Sequence, residues 1–356
     1  MGCVDAGRRR MGLVVWALAI AGLFGTPAMA QDASERSLTV GREQRTYLLS
    51  QPDGAVGPQP VVIALHGAGE SSEGFRGYLG LEETAAKMRF TTVYPQGIGR
   101  VWNDGRPAAM RLKAVLTPGD DVAFLLALTR DLVAEGIADP NRIYLMGISN
   151  GGFMVERMAC EHAELYAAYS VIMATAPANY REQCRPSRPV PIMFIHGTAD
   201  AVIAWDGFWT PMGATLSAPD SAELFAALDG CGEATVQQLP DLDRFDGTTV
   251  SVRRWSRCEG VGEVALYRIE RGGHQSPARV KTTAELATPF LGLRNRDIDA
   301  GAESWAFFSR YSLAPAVPAA AASKAAPSAA PTTVPFPVPS PLRVRGAAAA
   351  EQSVQR

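Results

Sequence analysis

A hydroxyl becomes a useful nucleophile only where the backbone presents it and a base takes its proton. The run Leu145-Met146-Gly147-Ile148-Ser149-Asn150-Gly151-Gly152 sets a serine between two glycines, directly after an apolar segment. Gly147 and Gly151 carry no Cβ, so the chain can turn sharply from strand into helix with Ser149 at the apex and its hydroxyl clear of the sheet. A helix starting near Asn150 aims its free N–H groups at the place where an oxyanion forms. The chemistry expected of such a turn is attack on an acyl carbon. The competing reading is a serine that only caps the helix behind it.

The base must come from four histidines, His66, His162, His196 and His274. In a strand-turn-helix arrangement the acid and then the histidine follow the serine in chain order. His66 precedes Ser149, His162 lies too close behind it, and His196 leaves little room for an acid strand between. His274 is therefore the candidate base, on a loop after Gly272-Gly273 and just past the alternating segment 264–269. The acid is expected at Asp200, in the turn that ends the apolar run 191–195. There it accepts the histidine Nδ1–H, fixes the tautomer and stabilises the imidazolium. Asp206, six residues on, is a rival that spacing does not separate from it.

A tetrahedral intermediate needs two hydrogen-bond donors. Asn150, the residue after the nucleophile, supplies one backbone amide. The second is expected from Ala68, because the apolar run 60–65 leads into His66-Gly67-Ala68-Gly69. His66 then braces this loop.

These loops need elements to hold them. Strand-like apolar runs alternate with helical ones. Val122, Leu125, Leu126, Leu132 and Val133 mark an amphipathic helix capped near Asp120, while 139–142 read as a turn cluster and 143–146 as a strand buried on both faces. Trp305, Phe308 and Tyr311 recur at helical spacing and read as the last core helix. This alternation predicts an α/β fold, a mostly parallel central sheet with helices on both faces.

The chain has 356 residues, 47% hydrophobic and 20% charged, with a formal net charge of −2. That is enough for one large core, and it gives no general pull towards nucleic acid or anionic lipid. No metal-ligand or cofactor motif appears, so no cofactor is expected. Residues 1–30 read as a signal peptide: Arg8-Arg9-Arg10, an apolar stretch too short to span a membrane, then Ala28-Met29-Ala30 as a cleavage site. Stable membrane insertion is not expected once that segment is removed. Removal takes Cys3 with it and leaves four cysteines. Proximity favours Cys160 with Cys184 and Cys231 with Cys258, each loop worth about 3 to 4 kcal/mol. From 314 to 356 the chain is rich in Ala and Pro and is expected to be disordered. The catalytic domain is thus expected over 31–313.

Taken together, LHGAG at 65–69, YPQG at 94–97, WNDGR at 102–106, DDVAFL at 120–125, GISNGG at 147–152, HGTAD at 196–200 and GGH at 272–274 resemble the secreted polyhydroxybutyrate depolymerase and feruloyl esterase-like branch of the α/β-hydrolases. The resemblance spans nearly the whole of 31–313. It implies an α/β-hydrolase fold, carboxylic-ester hydrolysis with Ser149, Asp200 and His274 as triad, and Trp102 near the substrate cleft. Two departures bear on the substrate. Gln275-Ser276-Pro277 stands where many relatives carry Trp-Pro, and Ala68 stands where many carry cysteine.

The expectation is a secreted serine esterase, periplasmic or extracellular, acting on a small or oligomeric ester of polyhydroxybutyrate, feruloyl or acetyl type. The alternatives are an acyltransferase using the same triad and a non-catalytic exported binding protein on a hydrolase scaffold.

Overall fold

The computed structural model describes residues 33–106, 119–210, 213–280 and 286–313. The signal peptide expected at 1–30 and the tail expected from 314 lie outside the described residues. Strands β1 (Ser34–Val40) and β2 (Glu43–Ser50) pair antiparallel at one edge of a ten-stranded sheet, and β2 pairs antiparallel with β4 (Thr91–Pro95). The central block is parallel, in the order β4, β3 (Gln59–Leu65), β5 (Ala138–Ile148), β6 (Ala168–Ile172), β7 (Ile192–Gly197), β12 (Val264–Glu270). Antiparallel strands β11 (Thr249–Trp255) and β10 (Thr235–Gln238) complete the other side, and β8 (Trp209–Thr210) with β9 (Gly213–Ala214) form a separate ribbon.

The central strands read as continuous apolar runs because both of their faces are covered. In β3, Val61, Ile63 and Leu65 join one core while Val62 and Ala64 join the other. In β5, Ile143 and Leu145 face the first core, and Tyr144, Met146 and Ile148 the second. Three helices fill the first core with Phe124, Phe153 and Phe225: α3 (Asp121–Ala134), α4 (Asn150–Glu161) and α6 (Ala218–Leu228). The second core is covered by Phe75, Leu81 and Phe308 of α1 (Ser72–Leu79), α2 (Leu81–Met88) and α8 (Ala300–Phe308). The chain thus has the expected mostly parallel sheet with helices on both faces. Short helices α5 (Tyr180–Gln183) and α7 (Thr288–Leu291) lie in the connections.

Local signals act where the sequence places them. Asp120 caps α3 by accepting the Ala123 N–H at 3.0 Å, and Ser217 caps α6 by accepting the Asp220 N–H at 3.0 Å. Trp305 stacks on Phe90 and Phe308 on Tyr144, whereas Tyr311 lies beyond the end of α8. The turn cluster expected at 139–142 belongs instead to the first half of β5. Asp139 still accepts the Asn141 N–H at 2.9 Å, and the pairing with β3 shifts register between Gln59 and Val61, so a local turn bond persists inside an irregular strand. Disulfides join Cys160 to Cys184 and Cys231 to Cys258, tying the end of α4 to the end of α5 and the end of α6 to the segment after β11.

The register of the parallel block fixes where its loops emerge. Leu65 pairs with Gly147, Ile148 with Ile172, Ile172 with Ile195, and Gly197 with Ile269. The loops after β3, β5, β7 and β12 therefore leave the sheet along one edge.

On α4, Glu156 is fully buried, and neither of its carboxyl oxygens has a hydrogen-bond partner among the described residues. Burial pushes its pKa well above the ordinary carboxylate range, with Asp104 adding to the rise and Arg106 opposing it. The folded state holds a proton here that the unfolded chain releases above its ordinary pKa, so this residue costs stability as pH rises. Relative to wild type, Glu156→Gln should be more stable by a margin that widens from about pH 5 to about pH 7. Denaturant titrations at both pH values measure this, and an equal difference at the two would contradict it.

Candidate active site

Ser149 sits at the turn from β5 into α4 with φ 54° and ψ −119°, a left-handed conformation rare outside glycine. Its N–H donates to the Ile172 carbonyl at 2.8 Å, which anchors the strained residue to β6. The hydroxyl makes no capping bond to α4, so the reading of Ser149 as a mere helix cap is set aside. The flanking glycines are needed for close approach: a Cβ on Gly147 would overlap the Gly151 backbone, and one on Gly151 would overlap the Leu65 carbonyl.

His274 follows β12, held by its own N–H donating to Leu291 O at 2.5 Å and by the Gly273 N–H donating to Leu293 O at 2.8 Å. The turns after β7 and β12 pack so tightly that a Cβ on Gly197 would overlap the Gly272 carbonyl. That contact brings Asp200 to His274. One carboxylate oxygen, Oδ1, accepts the N–H groups of Val202 and Ile203, each at 2.8 Å, and the other, Oδ2, accepts from His274 Nδ1 at 2.7 Å. An ionised carboxylate only accepts, so Nδ1 carries the proton and Nε2 is left basic. Asp206, the rival acid, is exposed.

His196 is also buried beside Asp200, with Nε2 3.7 Å from Oδ2. Its Nε2 donates to Ile203 O at 2.8 Å, and burial pushes its pKa down, so it is a neutral brace.

Ser149 and His274 line one cavity of about 470 Å³ together with Gly67 and Ala68. Ile148, Val202, Ala287 and Leu291 give it apolar walls, and Glu70, Tyr78 and Gln275 bring polar atoms. Sequence reasoning missed these last three. Glu70 stands just beyond the Gly67-Ala68-Gly69 turn, where no periodicity marks a residue, and Tyr78 in α1 reads as an ordinary helix aromatic. Gln275 was visible only as a departure from the family pattern.

Trp102, expected near the substrate cleft, is not among the residues lining this cavity. It is 1% exposed and supports the loop from beneath. Its Nε1–H donates to the His66 carbonyl at 2.9 Å and its ring lies 4.9 Å from the His66 ring. His66 braces the loop in turn: Nδ1 donates to Gly67 O at 2.8 Å and Nε2 accepts the Gly97 N–H at 3.0 Å, while burial lowers its pKa. The Asn150 side chain accepts the Trp102 N–H at 2.7 Å and donates to Trp102 O and to Asp104 Oδ2. That side chain is therefore fully engaged, and only the backbone of Asn150 is available to a ligand. Trp102→Phe would leave the buried His66 carbonyl without its donor and a gap beside it, costing about 2 kcal/mol or more. Equilibrium urea unfolding measures this; a loss within about 0.5 kcal/mol, the range of ordinary surface changes, would refute the supporting role.

A family model described as the prolyl oligopeptidase family matches residues 118–177, the stretch that carries β5, Ser149 and α4. "Putative esterase NocK" of Nocardia uniformis subsp. tsuyamanensis is 26% identical over 293 residues, 74% of this chain and 84% of that one. Feruloyl esterase B of Piromyces equi is 27% identical over 190 residues, 50% of this chain and 31% of that one. Among solved structures, acetyl xylan esterase from Aspergillus awamori is similar with a TM-score of 0.48 at 14% identity, covering 73% of this chain and 99% of that one. The Nocardia and Piromyces relatives are named as esterases, and neither carries a depolymerase name. The chain is similar to these esterases, and over residues 118–177 to the prolyl oligopeptidase family model.

Proposed function

We propose that this protein is a secreted serine carboxylic-ester hydrolase in which Ser149, His274 and Asp200 act in series. The observation that carries the reading is the 2.7 Å bond from His274 Nδ1 to a buried, otherwise satisfied Asp200, in a cavity shared with a serine held at φ 54°. His274 Nε2 takes the Ser149 proton as Oγ attacks the ester carbonyl, and Asp200 stabilises the imidazolium. The amides of Ala68 and Asn150 hold the oxyanion, and the N-terminal end of α4 adds its dipole. Collapse releases the alcohol, with His274 returning the proton, and leaves an acyl group on Oγ. Water, activated by the same imidazole, then frees the acid. His66, neutral and bonded at both ring nitrogens, takes no part in proton transfer.

The acyl group is of hydroxybutyrate-oligomer, feruloyl or acetyl type. The names of the relatives support the last two, and the motif set supports the first. Export rests on residues 1–30 and on two disulfides, which fit an oxidising compartment. No described helix is long and apolar enough to cross a membrane.

A fluorophosphonate probe should label the wild type and not Ser149→Ala, and that variant should lose about a millionfold in turnover of p-nitrophenyl esters. Near-normal turnover in purified, folded Ser149→Ala would refute the mechanism.

A further inference from the structure

The cavity wall carries a charge that the reaction above does not use. Glu70 lies just past the loop that holds Ala68, and its Oε2 accepts the Gly67 N–H at 2.8 Å. Glu70 Oε2 and Ser149 Cβ both lie within 4 Å of the point that a Cβ on Gly67 would occupy, so the carboxylate stands beside the nucleophile. Its other oxygen, Oε1, makes no hydrogen bond among the described residues. Across the wall, the Gln275 amide is locked by Nε2 donating to Thr288 Oγ1 at 3.2 Å and to Gly292 O at 2.5 Å. That orientation leaves the Gln275 Oε1 acceptor buried and, among the described residues, without a partner. Tyr78 oxygen accepts the Ser276 N–H at 2.7 Å, which leaves its own proton to donate. The Arg294 guanidinium lies 5.3 Å from the Tyr78 ring, and Arg294 is not among the residues lining the cavity.

The acceptor this wall presents to a substrate is thus Glu70 Oε1, a carboxylate oxygen close to the reacting carbonyl, with the Tyr78 O–H beside it as a donor. A substrate hydroxyl satisfies such a wall. A substrate carboxylate meets a like charge with little water between. We propose that Glu70 is a specificity-determining residue that makes the cavity take uncharged, hydroxyl-bearing esters and turn away esters whose acyl chain ends in a carboxylate. Burial raises the Glu70 pKa and the neighbouring His274 opposes that rise, in keeping with a carboxylate set close to the imidazole.

This inference rests on the hydrolase reading and goes beyond it by naming a substrate class. The test compares kcat/KM for monomethyl succinate with that for methyl 3-hydroxybutyrate at pH 8, in wild type and in Glu70→Gln. Glutamine keeps an acceptor for the Gly67 N–H and removes only the charge. The ratio is the readout, because a charge beside the oxyanion also changes the rate on every ester. The ratio of succinate to hydroxybutyrate ester should rise about tenfold or more in the variant, as expected for a unit charge about 7 Å away at an effective dielectric of about 20 to 40. In wild type alone, methyl succinamate, the uncharged amide counterpart of monomethyl succinate, should be turned over about tenfold or more faster than monomethyl succinate. That arm keeps the idea testable should Glu70→Gln fold poorly. A ratio that moves less than about threefold in a folded variant, or a wild type that turns over the two succinate esters at equal rates, overturns the role of Glu70 while leaving the triad intact. A wild type that hydrolyses no ester, p-nitrophenyl acetate included, overturns both.

Discussion

The parallel register of the central sheet is the constraint on which everything else depends. Because Leu65 lies beside Gly147 and Gly197 beside Ile269, the turns carrying Ala68, Ser149, Asp200 and His274 emerge along one edge although they are spread over two hundred residues of chain. A shift of one residue between β7 and β12 would send every side chain of one strand to the opposite face and break the fit between Gly197 and Gly272. The register is itself secured by burial on both faces. β7 is buried throughout and β12 from Val264 to Tyr267, so a slipped register would carry the exposed charges of Arg268 and Glu270 into the core.

Upon this frame the polar groups are organised in two linked sets. The first is Asp200, whose four close partners comprise two backbone amides and two imidazoles, one donating to it and one held off at 3.7 Å. The second runs beneath the loop after β3. Arg45 pairs with Asp121 in the core, Asp121 accepts the Asn103 N–H, and the neighbouring Trp102 and Asn150 fasten that segment to the His66 carbonyl and to α4. Neutral histidines serve in both sets as spacers, each donating from one ring nitrogen to a backbone carbonyl. His274 differs from them in that its second ring nitrogen makes no hydrogen bond among the described residues, while its side chain lines the cavity.

Much of this was legible in the sequence because the signals were local. Glycine spacing announced the turn at Ser149, chain order singled out His274, and continuous apolar runs announced buried strands. Asp200 was the acid expected, with Asp206 a rival that spacing did not separate from it, since spacing carries no information on which carboxylate faces inward; Asp200 is the one buried and bonded to His274. Trp102 was misplaced for a related reason. A tryptophan after a turn has an apolar body and one donor, and both a ligand cleft and a buried carbonyl accept that combination. Here the carbonyl of His66 took it. Glu70 and Tyr78 were invisible, and Gln275 showed only as a departure from the family pattern, because the segment after β3 and the segment after β12 converge on the cavity only after folding and no periodic pattern records such convergence.

The central claim is that Ser149, His274 and the amides of Ala68 and Asn150 converge on one reacting carbon. The most direct measurement is a crystal structure of the protein after reaction with a small phosphonate ester. The account predicts phosphorus bonded to Ser149 Oγ, with the phosphoryl oxygen about 2.7 to 3.1 Å from both amides and His274 Nε2 facing the oxygen of the departed group. An adduct whose phosphoryl oxygen points to solvent, away from both amides, would contradict it, as would phosphorus on any other residue.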